Sequence, residues 1–329
     1  MKFLFTMLYW GFLVLKRSEE YLKRIIEELK KGDWVSGEIL AEKLKISRTQ
    51  VWKNINRLKS LGYSIKGLRR SGYLLYSSPD IPYPWELKPF GRFKNFIYFE
   101  SINSTNTYLF SLAKEGAEEG TVLIANSQSE GRGRYGRRWF SSKGNIFMSF
   151  LLKPGCPAEN GGFITLLSGL ACARSIEKSG IKITLKWPND LLIASKKAGG
   201  ILCESAVENG IISFVVVGIG INIHLPKKRN ELIENATSLA ENGFKGRRID
   251  LIQKIIEEFE VLYEKFLRGD TRFIINEYKK RTIPYGEMIT VKTGERIIRG
   301  KFAGIENDGS LLIMNGERVN RIYTGEVLQ

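Results

Sequence analysis

The chain has 329 residues, of which 43% are apolar and 26% charged, a composition that excludes a disordered or collagen-like protein. Three cysteines and one histidine, without metal-ligand spacing, argue against a disulfide framework, a zinc site and a serine–histidine–aspartate triad. The formal net charge of +16 is uneven, because the segment from Lys43 to Arg70 holds nine lysines or arginines and no acid. We expect a cytoplasmic protein with free thiols and one strongly basic surface.

The N-terminus begins with a mostly apolar run, Phe3–Leu15, behind a single lysine. A run of this length is too short to cross a bilayer, and no small-residue cleavage site follows it. We interpret residues 1–17 as a non-native or disordered extension, with a true start between Val14 and Arg17. The alternative is a membrane anchor.

Residues 18–77 have the pattern of a winged helix-turn-helix. Apolar side chains at helical spacing predict helices over Ser18–Lys31 and Ser36–Leu44, and Ser47 opens a third helix that Gly62 ends. In that third helix, the Ser-x-x-Gln pattern at its start predicts a capping box. Two short apolar runs, Tyr63–Leu68 and Tyr73–Tyr76, then predict the strands of a wing around a basic loop.

The third helix carries an apolar stripe of Val51, Ile55 and Leu58, and its polar side chains are predicted to face away from this stripe. In a major groove, side-chain amides can pair with adenine and guanidinium groups with guanine, whereas wing arginines contact phosphate. One such module binds weakly, so we expect a dimer on a two-fold operator. The predicted DNA-binding residues are Thr49, Gln50, Lys53, Asn54, Arg57, Arg69 and Arg70.

The rest of the chain predicts an α+β multidomain protein. Four of the nine prolines lie between Pro79 and Pro89, which marks residues 78–92 as a linker of limited flexibility. Residues 93–283 predict a central mixed-sheet α+β domain, and residues 284–329 have the short strands and glycine turns of a small C-terminal β-barrel. The predicted helices are Thr105–Lys114, Gly162–Gly180 and Asp250–Leu267; the predicted strands are Thr121–Asn126, Ile146–Leu152, Thr184–Trp187, Gly200–Glu204 and Phe214–Ile223.

The segment Gly131–Gly136 matches the G-x-G-x-x-G pattern, but its surroundings argue against a dinucleotide fold. A Rossmann loop precedes a helix whose N-terminus faces the pyrophosphate, whereas a turn and the strand-like Ile146–Leu152 follow here. Arginines occupy positions 132, 134, 137 and 138. Their side chains can capture anions directly; the alternative is an exposed basic loop.

The stretch Gly131-Arg-Gly-Arg-x-Gly-Arg-x-Trp139 resembles the signature loop of biotin–protein ligases. Four further stretches resemble motifs of that family in the same order, and the N-terminal pattern resembles its repressor subclass, whose C-terminal barrel is SH3-like. Together they cover nearly the whole chain from Ser18. The four stretches are Ser104-Thr-Asn106, Lys186-Trp-Pro-Asn-Asp190, Lys197-x-x-Gly-Ile-Leu202 and Gly218-x-Gly-x-Asn222.

The resemblance implies a two-step reaction with biotin and ATP as substrates and Mg²⁺ carried by the nucleotide. Biotin's carboxylate attacks the α-phosphate to give biotinyl-5′-AMP and pyrophosphate. The amine of a lysine of biotin carboxyl carrier protein then attacks the mixed anhydride, which transfers the biotin and releases AMP. It also implies that the adenylate acts as corepressor by promoting a homodimer on operator DNA, with no role for a membrane. The alternatives are a regulator that only senses a small molecule and a lipoate or octanoyl transferase.

For biotin, the resemblance implies neutral hydrogen bonds from a polar pocket to the ureido ring. The Ser-Thr-Asn triplet is also a pattern for a helix cap, and both interpretations can hold at once. Glycines beside these side chains let the backbone approach the ligand. The predicted biotin-binding residues are Ser104, Thr105, Asn106, Gln128, Gly131, Arg132, Gly133, Arg134, Lys197 and Gly200.

The predicted catalytic residues are Arg132, Lys197 and Asp190. The two cations would offset the charge of two anions brought together, although Lys197 taken alone is more typical of a solvated lysine in a hairpin turn. The carboxylate of Asp190 can orient the acceptor ammonium, take its proton or serve Mg²⁺, and no firm metal site is predicted. The predicted ATP and adenylate residues are Arg132, Arg134, Arg137, Trp139, Asn189 and Asn222.

Three features have plain structural alternatives, and one departs from the family pattern. Trp139 is otherwise a core aromatic, and Asn222 a strand-end cap. The run Phe214–Ile223 predicts either a central buried strand or one that also lies at a dimer face. The segment Glu234–Leu239 lacks the aromatic that closes over adenine in some relatives, so the resemblance implies a lid closed by aliphatic contacts.

Overall fold

The computed structural model describes residues 19–226 and 234–328. The chain divides into two compact units, with the boundary between Glu86 and Leu87. The predicted extension 1–17 lies outside the described residues. Within them, no helix is long and apolar enough to cross a membrane.

The first unit contains three helices and a two-stranded hairpin. Helix α1 spans residues 19–29, α2 spans Gly37–Leu44 and α3 spans Arg48–Ser60. Ser47 Oγ accepts a hydrogen bond from Gln50 N at 3.1 Å, which is one half of the predicted capping box. Strands β1 (Ser64–Leu68) and β2 (Gly72–Ser77) pair antiparallel and enclose the basic loop. The predicted helices and strand pair are confirmed.

The predicted linker, residues 78–92, packs into the two units: residues up to Glu86 belong to the first unit and those from Leu87 belong to the second. Tyr83 and Trp85 stack with ring centroids 4.9 Å apart, and Trp85 Nε1 donates to the hydroxyl of Tyr63 at 2.7 Å. That hydroxyl donates to a Glu86 carboxylate oxygen at 2.6 Å. Burial is the main reason that the pKa of Tyr63 is raised, and its hydrogen bond to the Glu86 carboxylate raises it further. Leu87, by contrast, is buried in the core of the second unit.

The second unit is built on a seven-stranded mixed sheet of order β3-β4-β5-β9-β8-β7-β6. Only the pair β3–β4 is parallel; the other five pairs are antiparallel. The strands are β3 Asn95–Phe99, β4 Thr121–Ala125, β5 Ile146–Leu152, β6 Thr184–Lys186, β7 Asp190–Ile193, β8 Lys196–Glu208 and β9 Ile211–Ile221. The predicted mixed sheet is confirmed, although β3 and β7 were not predicted.

Helices cover both faces of this sheet. On one face α4 (Thr105–Lys114) packs its Leu109 in a cluster with Val216 of β9. On the other, α5 (Gly161–Glu177) and α6 (Arg248–Leu267) enclose the main core, and the unpredicted α7 (Thr271–Lys279) packs beside them. Because β9 is paired on both edges and covered on both faces, the run Phe214–Ile223 is a central buried strand.

The C-terminal segment forms an antiparallel five-stranded sheet of order β13-β12-β11-β10-β14. Its strands are β10 Met288–Thr293, β11 Arg296–Ile305, β12 Leu311–Asn315, β13 Arg318–Ile322 and β14 Glu326–Val327. In the described part of the chain the outer strands β13 and β14 do not pair, so the sheet predicted as a small barrel is not closed. Its buried Val291 and Ile313 belong to the same core as Leu166 of α5, and Trp187 Nε1 donates to Gly309 O at 3.0 Å. Residues 284–328 are thus part of the second unit.

Candidate functional site

A cavity of about 470 Å³ in the second unit brings together most of the predicted ligand-binding residues. Tyr135, Phe147, Lys186 and Glu326 also line it, although they were not predicted as site residues. Of the predicted residues, Gly131 and Asn222 do not line the cavity. Those that do are Ser104, Thr105, Asn106, Gln128, Arg132, Gly133, Arg134, Arg137, Trp139, Asn189, Asp190, Lys197 and Gly200.

Ser104, Thr105, Asn106 and Gln128 line one end of the cavity. Together with the buried Ser149 behind them they form what we call the neutral pocket. Thr105 N and Oγ1 donate to Gln128 Oε1 at 2.8 and 3.1 Å. Ser149 Oγ lies 2.8 Å from Thr105 Oγ1 and 2.7 Å from Asn106 Oδ1. These buried groups therefore hold one another in place without a net charge.

The start of α4 serves the neutral pocket and the helix at the same time. Ser104 Oγ accepts a hydrogen bond from Thr107 N, the usual arrangement of an N-cap. Ser104 also lines the cavity, and so do the next two residues. The cap and pocket interpretations of the triplet hold together.

Glycines in strand β9 leave room for large side chains of the cavity to pack directly against the backbone of the sheet. A Cβ atom on Gly218 would lie 2.2 Å from Asn106 Oδ1, and one on Gly220 would lie 2.8 Å from Trp139 Nε1. A Cβ atom on Gly131 would lie 2.3 Å from Ser141 Oγ. Gly131 therefore lets the loop pack closely, although it does not itself line the cavity.

The other end is formed by residues 131–139, which we call the arginine loop. Arg134 Nη1 donates to the carbonyl of Gly325 at 2.8 Å, and Arg137 forms a bidentate pair with Glu326 at 2.7 and 2.6 Å. The hydrogen bond from Arg137 lowers the pKa of Glu326, with help from its positive charge and those of Lys186 and Lys197. These hydrogen-bond acceptors of Arg134 and Arg137 thus lie at the start of β14, in the C-terminal part of the chain.

Arg132 has different partners from Arg134 and Arg137. Its Nη2 donates to Thr107 Oγ1 at 2.9 Å and lies 3.2 Å from Glu204 Oε1. Both partners lie beside the neutral pocket, because Glu204 Oε2 also accepts a hydrogen bond from Asn106 Nδ2 at 2.9 Å. No sequence motif points to Glu204, because its position beside Asn106 and Arg132 depends on the pairing of β8 within the sheet.

Lys197 and Asp190 form an ion pair, with Nζ 2.6 Å from Oδ1. Lys197 Nζ also lies 5.4 Å from the centre of the Trp139 ring, and the indole Nε1 is buried without a hydrogen-bond partner among the described residues. A lysine held between a carboxylate and an indole in the cavity wall does not behave as a freely solvated hairpin lysine. The structure thus favours the functional interpretation of Lys197.

Asn222 has a different position from the one expected of an adenylate ligand. It is 4% exposed, and its Nδ2 donates to Thr237 O at 3.1 Å. Its backbone carbonyl accepts from Leu239 N at 2.8 Å, so it fastens the segment after residue 233 to the end of β9. This is the strand-end cap. The same segment reaches the site by pairing Thr237 N with Lys197 O at 2.9 Å.

In the first unit, α3 buries Val51, Asn54, Ile55 and Leu58. The expectation that Asn54 faces DNA is therefore wrong, since its exposed fraction is 4%. At 100° per residue Asn54 falls on the same side as Val51 and Leu58, three and four positions away. Thr49, Lys53 and Arg57 are exposed as predicted, and Gln50 is partly exposed.

A cleft of about 780 Å³ lies between α3 and the hairpin. Arg69 and Arg70 line it as the predicted wing residues, and Thr49 lines it from the helix. Sequence reasoning missed three further helix residues in its wall, Arg48, Asn56 and Lys59, and also Trp52, which is 56% exposed. This is a basic cleft with one large aromatic side chain, a surface suited to nucleic acid.

Comparison with known proteins agrees with the geometry. Residues 98–222 match the biotin/lipoate A/B protein ligase family, residues 22–74 match a helix-turn-helix domain, and residues 285–328 match the biotin protein ligase C-terminal domain. The bifunctional ligase/repressor BirA of Bacillus subtilis is 34% identical over 307 residues, which is 90% of this chain and 94% of that protein. BirA of Escherichia coli is 29% identical over 92% of this chain and 95% of that protein.

Among solved structures, biotin protein ligase from Aquifex aeolicus in complex with biotin and ATP superposes with a TM-score of 0.62. It is 32% identical and covers 71% of this chain and 98% of that chain. The fold and cavity thus define a biotin/lipoate-type protein ligase joined to a helix-turn-helix domain. Within that class, the chain belongs to the family of bifunctional ligase/repressors.

Proposed function

We propose that the chain is an ATP-dependent biotin–protein ligase that forms biotinyl-5′-AMP and transfers biotin to a lysine of biotin carboxyl carrier protein. The observation that carries this proposal is that a neutral hydrogen-bonding pocket and a cationic loop line one cavity. Biotin has the same two parts, an uncharged ureido head and a carboxylate tail. The cavity volume of about 470 Å³ lies in the usual range for small-molecule sites.

For the first step, biotin's head occupies the neutral pocket and its carboxylate meets the α-phosphate near Arg134 and Lys197. At an effective dielectric constant of about 20, two like charges 4 Å apart repel by roughly 4 kcal/mol. Fixed cations offset this repulsion without reorganising during the reaction. Arg137 and Lys186 are suited to the departing pyrophosphate, whereas the contacts of Arg132 favour a role at the biotin end.

For the second step, the acceptor lysine must lose a proton, because its ordinary pKa is about 10.4. The Asp190 carboxylate already holds one ammonium group, that of Lys197, and can orient a second in the same way. Mg²⁺ enters with ATP in this proposal. Asp190 and Glu326 are carboxylates of the cavity wall, and Mg²⁺ is commonly bound by one or two carboxylates together with substrate phosphates.

We further propose that the first unit binds operator DNA as a winged helix, with α3 in the major groove and Arg69 and Arg70 on phosphate. Biotinyl-AMP would act as corepressor by favouring a homodimer in the cytoplasm. Since β9 has both edges paired, another element must form the interface. The outer edge of β8 is suited to this, because β7 covers it only from Lys196 to Gly200. The five-stranded C-terminal sheet would correspond to the family's SH3-like barrel.

Exchange of labelled pyrophosphate into ATP tests the ligase proposal. We expect exchange that requires biotin, and transfer of biotin to a carrier protein in a second incubation. Exchange that responds to lipoate and not to biotin would identify a lipoate-type enzyme. DNA binding without any exchange would identify a regulator that only senses a small molecule.

A fragment that begins at Leu87 tests the division of labour between the units. It should lose DNA binding and keep ligase activity at least in part, because Leu87 and Phe93 already belong to the second core. DNA binding by the full chain should weaken steeply with salt, as lysines and arginines release phosphate counterions. Retardation of operator DNA by the fragment, or binding insensitive to salt, contradicts the assignment.

A further inference from the structure

Glu204 connects Asn106 of the neutral pocket to Arg132 of the arginine loop through its two carboxylate oxygens. Oε2 accepts from Asn106 Nδ2 at 2.9 Å, while Oε1 lies 3.2 Å from Arg132 Nη2. The three residues come from three different elements, since Glu204 belongs to β8, Asn106 to α4 and Arg132 to the arginine loop. A displacement of the carboxylate therefore disturbs both Asn106 and Arg132.

The neighbours of Asn106 fix the orientation of its amide. Nδ2 uses both hydrogens, one on Leu202 O at 3.0 Å and one on Glu204, and Oδ1 lies 2.7 Å from Ser149 Oγ. Only Oδ1, with its second lone pair, retains capacity for a ligand, and an acceptor suits the N–H of a ureido ring. Glu204 thus determines which atom of Asn106 is available.

The charge of Glu204 acts on Arg132. Without a fixed anion beside it, this arginine would be drawn toward the phosphates that enter the cavity, as its neighbours in the loop would be. The ion pair and the bond to Thr107 Oγ1, at 2.9 Å, keep the guanidinium beside the neutral pocket instead.

We propose that Glu204 is a positioning residue that sets the orientation of Asn106 and holds Arg132 at the biotin end, so that binding of biotin depends on the placement of both. The proposal rests on the proposed ligase function. It assigns Glu204 to the affinity for biotin and not to the chemical step.

Glu204→Gln tests the charge alone, because glutamine retains an acceptor for Asn106 and loses the ion pair. We expect the biotin KM in pyrophosphate exchange to rise about fivefold, as for loss of a partly exposed ion pair of about 1 kcal/mol. The rate at saturating biotin should change less than about twofold. Glu317→Gln is the control, since Glu317 is an exposed residue of the turn between β12 and β13 and does not line the cavity, and it should leave both values unchanged.

The same substitution in an Arg132→Ala background separates positioning from a general structural effect. If Glu204 acts through Arg132, E204Q should add nothing to the biotin KM there, whereas E204A should still raise it through Asn106. An unchanged biotin KM in E204Q, or an equal rise with and without Arg132, overturns the proposal.

If E204Q does not fold, Thr107→Val makes the test, because it removes the other acceptor of Arg132 and should raise the biotin KM in the same direction. An unchanged KM in that variant then counts against the proposal. Wild-type protein without biotin-dependent exchange would refute the proposed function itself. If the wild type is active but substitution of Glu204 leaves the biotin KM unchanged, only this inference is refuted.

Discussion

The neutral pocket and the arginine loop line one cavity, yet their polar groups are satisfied in different ways. In the neutral pocket, Thr105, Asn106, Gln128 and Ser149 bind mainly one another through uncharged groups. In the arginine loop, cations hold carboxylates and carbonyls of the C-terminal sheet, such as Glu326. The first arrangement is ready for a ligand, whereas the second holds internal acceptors that a phosphate must replace. Changes in the pocket should therefore affect biotin affinity, and changes in the loop should affect adenylate formation.

The largest effect is expected for Arg134→Ala. In the proposed reaction it removes a fixed cation from the place where charge develops on the α-phosphate, and the loss of one such group typically costs about 10²–10³ in rate. We expect pyrophosphate exchange at saturating biotin and ATP to fall by that factor in a protein that unfolds at the parent's temperature. Arg272→Ala, an exposed arginine on α7, is the control and should retain the parent's rate. A folded Arg134 variant with exchange near the parent's level would remove this residue from the chemical step.

A smaller effect, on affinity instead of rate, is expected for Gly218→Ala. Its methyl group would meet Asn106 Oδ1 at 2.2 Å, so the amide must leave its hydrogen bonds. Displacing one buried polar group costs about 1–3 kcal/mol, which corresponds to a rise of about tenfold or more in the biotin KM.

Gly162→Ala on α5 is the matched control for that substitution, because a methyl group there meets nothing within 4 Å. It should leave the biotin KM unchanged. Titration calorimetry with biotin alone checks the affinity without catalysis. If Gly218→Ala binds biotin as tightly as the parent, Asn106 is not needed in its present place.

The sequence sufficed for those parts of the site that lie in contiguous, chemically distinctive motifs. The arginine loop and the Ser-Thr-Asn triplet carry several functional side chains within a few residues, so they could be predicted as groups. Ser149 could not, because its place in the pocket comes from its register opposite Gly218 in the antiparallel pair of β5 and β9. Glu326 lies 189 residues from Arg137, and only the folded C-terminal sheet brings them together.

The errors in α3 and in the sheet have different physical origins. The burial of Asn54 follows from helical geometry, since it lies three residues after Val51 and four before Leu58, and a stricter use of the 100° rotation would have found it. Strand β7 has four residues and is defined by its pairing with β8, so local pattern alone gives little signal for it. The small β-barrel was expected from turn spacing, which predicts hairpins but does not determine whether the outer strands meet.

The smallest expected effect concerns the ion pair of Arg137 and Glu326, which belongs to the cationic side of the comparison. The hydrogen bond from Arg137 lowers the pKa of Glu326 in the folded chain, so the pair stabilises the fold above the ordinary pKa of glutamate, and this contribution is lost as the pH falls through the lowered value. Because Arg137 is 64% exposed, the pair should contribute less than about 1 kcal/mol. Glu326→Gln should therefore lower the unfolding temperature slightly at pH 7. The difference from the parent should begin to shrink as the pH falls below the ordinary glutamate pKa of about 4.3 and disappear below the lowered pKa of the folded chain. Calorimetric unfolding of both proteins across this range measures the effect, and a difference that stays constant or grows in acid would show that Arg137 is not held by the charge of Glu326.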